Sequence, residues 1–174
     1  MTPSEFKHYL LHGASTNGLA NMVANGGICW WLIKDKGPVT WWGGSNFGGD
    51  LIATAFILPV IVALIVIPIH HSKIRKGSLS AVNASIAPRW IQRFLLMPSN
   101  LWARAGLFGL VGVFTFALPT LVIFGALQIS VLTPAHYAIF KGVWAGLLAF
   151  TLVMPMTALA MTSAGATSVN TDIH

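Results

Sequence analysis

From Leu51 to Ile69 the chain runs nineteen residues without a charge, and Thr54 is the only polar side chain among them. A stretch of that length and character is what a helix needs to cross the roughly 30 Å hydrocarbon core of a bilayer. Two later stretches repeat the pattern. One runs about Ala105 to Ile129 around Pro119, and the other about Tyr137 to Met161 around Pro155. Both reach the length of a span.

Composition removes the soluble alternatives. Only 8% of the 174 residues are charged, against about 25% in an average globular domain. Ten bases and four acids cannot cover a water-facing surface, and the mean hydropathy of +0.74 agrees. In lipid the backbone must satisfy its own hydrogen bonds, which helices do. The expected fold is therefore an all-α integral membrane protein: a four-helix transmembrane bundle with short interfacial helices.

The remaining span is expected over Ala14–Ile33, after an interfacial helix over residues 1–13. Thr2-Pro3-Ser4-Glu5 carries the signals of a helix start: Thr as cap, Pro at the first helical position, Glu where a capping box wants it. Asn17, Asn21 and Asn25 recur every four residues and so share one helix face. Such a face is expected to avoid lipid and to give its amides to partner helices. The first thirteen residues hold no apolar run of signal length, so the first span is expected to act as an uncleaved anchor. Cys29 reads as an apolar filler; a single cysteine makes no intrachain disulfide.

Gly37-Pro38, Gly43-Gly44 and Gly48-Gly49 mark a loop. Trp30, Trp31, Trp41, Trp42 and Phe47 around it are expected to anchor at the headgroups. The segment 70–104 carries Lys73, Arg75, Lys76, Arg89, Arg93 and Arg104 and no acid. Residues 88–97 place Trp90, Phe94 and Met97 opposite Arg89, Gln92 and Arg93, as an interfacial helix with its basic side toward lipid would. Lys73, Arg75, Lys76, Arg89 and Arg93 are thus the expected contacts to anionic lipid. These six bases with Lys7 stand against Lys34, Lys36 and Lys141 on the other side. By the positive-inside rule both termini are cytoplasmic, in a plasma (inner) membrane. The clustering also explains the net charge of +6 without nucleic acid. The tail 162–174 is small and polar, without a periodic pattern.

Candidate functional groups are few. Asn17, Asn21, Asn25 and Gln128 form the expected polar intramembrane face. Asp50, at the start of a span, suits a helix cap; Lys141, one turn into the last span, is its possible ion-pair partner at the outer interface. His12, His70 and His71 are weak candidates for holding a haem between two helices, although adjacent histidines face different ways; no cofactor or metal is expected. Gly106, Gly109 and Gly112 form a small-residue seam for close helix packing. There is no HExxH, no CxxC, no phosphate-cradling glycine loop and no placed nucleophile with its base, so an enzyme is not expected. The sequence favours an accessory or assembly subunit that packs with copies of itself or within a larger membrane complex. The alternatives are an oligomeric transporter or channel and a haem-binding electron carrier.

Overall fold

The computed structural model describes residues 1–43, 46–87 and 89–169, with the backbone alone at 84, 95 and 163–169. Its elements in order are α1 (Pro3–Ile33), β1 (Val39–Thr40), α2 (Phe47–Arg75), a 3₁₀ turn (Ala84–Ile86), α3 (Arg89–Gln92) and a second 3₁₀ turn (Arg93–Leu96). There follow α4 (Leu101–Gly112), a π-helical turn (Val113–Ala117), α5 (Leu118–Ala126), β2 (Val131–Leu132) and α6 (Pro134–Val169). Three helical stretches are long and apolar enough to cross a membrane: Phe47–Arg75, Leu101–Ala126 and Pro134–Thr162. The chain is a multi-pass, all-α membrane protein.

The first helix departs from expectation. No surface helix ends near Gly13; one helix of 31 residues continues to Ile33, about 46 Å at 1.5 Å per residue. It begins with the capping box, Glu5 N–H donating to Thr2 Oγ1 and the Thr2 N–H to Glu5 Oε2. Continuity follows from its own polar side chains. The Thr16 hydroxyl donates to the His12 carbonyl, and the amides of Asn17, Asn21 and Asn25 donate four residues back to Gly13, Asn17 and Asn21. The asparagine face therefore bonds its own helix, not its neighbours.

The helix α6 is the axis of the bundle. Of its most apolar window 72% is buried inside the protein, against 33% for α2 and 22% for the α4–α5 helix. Helix α1 lies along α6 on one side; α2 lies on the other and carries α4. The α1–α6 approach is backbone to backbone, because small residues let helices close in where hydrophobic driving force is absent. A Cβ at Gly142 would sit 2.9 Å from the Met22 carbonyl oxygen, and one at Gly146 would sit 2.9 Å from that of Gly18. On the far side a Cβ at Gly112 would fall 2.2 Å from the Ala55 oxygen, so the seam at Gly109 and Gly112 packs on α2, whereas Gly106 faces open space.

The two ends differ. At one, β1 and β2 pair antiparallel, Val39 opposite Leu132 and Thr40 opposite Val131; we call this the ribbon end. Trp30, Trp31 and Trp42 there are exposed. Phe47 is not an anchor as expected but fully buried, with Trp41, Phe124 and Tyr137 around it. At the other, basic end, Phe6 and Leu10 of α1 pack with Val82, Ala87, Ile91, Ala158 and Met161. The expected interfacial helix over 88–97 is here a turn of α-helix followed by a 3₁₀ turn, with Pro88 outside the described residues. Ile91 is its buried residue and Phe94 stacks on Phe108, while Trp90, expected on the same face, is exposed. The expected unpatterned tail continues α6 as helix to Val169; 170–174 lie outside the described residues.

Candidate functional site

Asp50 stands in the first turn of α2, but it does not cap the helix. Asn46 does, its Oδ1 accepting the Gly49 N–H at 2.8 Å. This leaves the Asp50 carboxylate free to turn toward α6. There Tyr137 and Lys141, four residues apart, project from one face. Lys141 Nζ reaches both carboxylate oxygens at 2.6 Å, and the Tyr137 hydroxyl donates to Oδ2. The lysine side chain is only 12% exposed and the carboxylate 35%. Two donors on one acid satisfy its charge where water is scarce, which is how a buried ion pair survives.

The cluster opens into a cavity of about 380 Å³ whose walls include Cys29 and Lys36 from the α1 side, Asn46 and Ala53 from α2. A second cavity, about 390 Å³, lies between the same helices at the basic end and is lined by Tyr9, His12, Asn17, Ile65, His70 and Lys73 among others. Between them Asn21 and Asn25 continue the ridge from Asn17 to Cys29, and α2 presents Ile57, Ile61, Ile65 and Ile69, each about half exposed. The two cavities leave a crevice between α1 and α2 at either end, and Asn17, Ile65 and Ile69 line its part at the basic end. Among the described residues no donor reaches the Oδ1 atoms of the three asparagines, and none of these atoms is sealed from solvent.

The other sequence candidates fall apart in space. Gln128 lies on no intramembrane face. It is the exposed residue just past α5, at φ 56°, and it closes that helix: its N–H goes to Gly125 and the next, Ile129, to Phe124. This is a Schellman ending with glutamine where glycine is usual. His70 turns to α1, where its Nε2 meets the Tyr9 hydroxyl at 3.1 Å and its Nδ1 the Val66 carbonyl at 2.8 Å. His71 turns the other way, into a separate cavity with Arg75 and Arg104. His12 shares the cavity of His70. Both ring nitrogens of His70 are engaged. No group of three metal-ligating side chains occurs among the described residues. Lys73, Arg75, Lys76, Arg89 and Arg93 are all exposed at the basic end.

Three features escaped the sequence reading, although it named Lys141 as the possible partner of Asp50. Tyr137, four residues before Lys141, was not seen as the third member of that cluster. The run Gly142-Val-Trp-Ala-Gly146 is a GxxxG pair in plain view. Buried Arg104 carried no signal among its neighbouring bases. No family model, curated protein or solved structure matches this chain.

Proposed function

We propose that this chain is a four-span assembly subunit of an inner membrane, with the ribbon end outside, that seats a span of a partner or of a second copy in the crevice between α1 and α2. One observation carries this reading. Asn17, whose amide oxygen has no donor among the described residues, lines an open crevice whose opposite wall includes Ile65 and Ile69. Amide oxygens are costly against hydrocarbon, so a polar occupant belongs there, while the isoleucines suit an apolar helix face. The length of α1 is sufficient for a fourth span. Arg75, Lys76, Arg89 and Arg93 then lie at the cytoplasmic surface, where each adds about 1 kcal/mol of attraction to an anionic leaflet.

Purification from native membranes in mild detergent tests the reading. The chain is expected to emerge in an assembly larger than a monomer, and Ile65→Trp, which narrows the crevice, is expected to release it. A monodisperse monomer from the parent sequence would sink the proposal. A reporter fused at Ser78 is expected on the cytoplasmic side.

A second reading, an oligomeric transporter, draws support from the Asp50–Lys141–Tyr137 cluster at the mouth of the same crevice. Proteoliposome flux of small cations, compared between the parent and Asp50→Asn, separates the two; no flux in the parent removes transport, and equal flux in both removes Asp50 from any pathway.

A further inference from the structure

Arg104 is 93% buried, being 7% exposed, in the first turn of α4. Its Nε donates to the Pro98 carbonyl oxygen at 2.6 Å, and among the described residues it makes no other hydrogen bond and no ion pair. A guanidinium has five N–H donors, so the two Nη groups remain unused. The three acids among the described residues offer them nothing: Glu5 is committed to the α1 cap, Asp35 lies beside Lys34, and Asp50 is held by Lys141 at the far end. Neither Nη atom is sealed from solvent, so this cation, largely covered by protein, stays open to an anionic partner from outside.

Arg104 lines a cavity of about 370 Å³ between α2 and the start of α4, where Arg75, Ser72, Ser99 and His71 also contribute. Two arginines and two serines from three chain segments line this space, and no acid among the described residues does. Such a set rejects metal ions and calls for an anion with several acceptor oxygens. Arginine forks fit phosphate oxygens in pairs. Ile67, Pro68 and Leu101 supply an apolar floor. Basic pockets between helices at a membrane surface bind phospholipid headgroups in this manner.

We propose that this cavity is a discrete phosphate-group site, filled by one phospholipid headgroup or by free phosphate, with Arg104 as its buried anchor. It differs in kind from Lys73, Lys76, Arg89 and Arg93, which are exposed and attract a charged leaflet without selecting one molecule. The site does not depend on the assembly reading or on which way the chain is inserted.

The test uses the full chain in neutral detergent, with phosphatidylglycerol, phosphatidylcholine and inorganic phosphate as probes and native mass spectrometry as readout. The parent is expected to retain one phosphatidylglycerol and to release phosphatidylcholine. Arg104→Gln is expected to weaken that retention about tenfold, the worth of one lost charge-assisted bond. Lys7→Gln, an exposed base at the same end, is expected to keep it. Inorganic phosphate that displaces the lipid, or binds where the lipid does not, assigns the site to free phosphate; lipid retention indifferent to phosphate assigns it to the headgroup. Parent-like retention in Arg104→Gln overturns the proposal, and so does an equal loss in Lys7→Gln. Should Arg104→Gln not fold, Ser99→Asp, which sets a carboxylate at the exposed rim, must abolish binding of either probe; unchanged binding would overturn the site.

Discussion

The two ends of this bundle solve the same problem differently. Each holds a cation inside a protein that has almost no acids. At the ribbon end Lys141 meets Asp50, and Tyr137 completes the carboxylate's partners. At the basic end Arg104 is more deeply buried yet, among the described residues, finds only a backbone carbonyl. The first arrangement is closed within the fold, and the second is open to an anion from outside. With four acids in the chain, placing one of them against Lys141 marks the ribbon end as a joint between α2 and α6.

The largest effect should come from breaking that joint. Asp50→Ala leaves the partly buried Lys141 without a partner and is expected to cost about 2 kcal/mol of stability in detergent unfolding. Adding Lys141→Met to it should recover most of the loss, because an apolar side chain tolerates the site. Failure of the double variant to recover would mean the pair is not coupled. Next is Tyr9→Phe, which removes the hydroxyl that joins α1 to His70 on α2. It is expected to cost about 1 kcal/mol, read by equilibrium unfolding. Arg104→Gln should cost less than about 1 kcal/mol in neutral detergent, since the lost bond to Pro98 is offset by removal of an unneutralised charge. A loss as large as that of Asp50→Ala would erase the contrast between the ends. Smallest is Lys34→Gln. Its 4.0 Å pair with Asp35 is exposed, so unfolding should shift by under about 0.5 kcal/mol.

Much of this fold is written in its apolar runs, because lipid forces a helix wherever about twenty such residues follow one another. Leu51–Ile69 needed nothing else. The start of α1 was equally plain, since a capping box is local chemistry. Residues 1–33 proved harder. A polar stripe in a helix can be read as bonding a neighbour or as bonding the turn behind it, and only the coordinates distinguish these for Asn17, Asn21 and Asn25. Asp50 was misread as a cap because Asn46, four residues earlier, competes for the same N–H groups, and both are good caps. The pairing of Asp50 with Lys141 was legible because both sit at the same end of their spans in a chain with few acids, whereas Tyr137, 87 residues from Asp50, gave no local sign of joining them. Arg104 looked like one more loop base. Its burial depends on how 98–101 turns over it.

The π-helical turn at Val113–Ala117 sets what the helix around it can address. One added residue turns everything beyond it by about 100°. Before the turn, Gly109 and Gly112 meet α2; after it, the Thr120 hydroxyl accepts the Trp144 indole N–H from α6 at 2.9 Å. A single rod from Leu101 to Ala126 thereby clasps two neighbours that a straight register could not serve together. Excising one residue from that turn would swing Thr120 off its tryptophan while sparing the glycine contacts, unhooking half the rod.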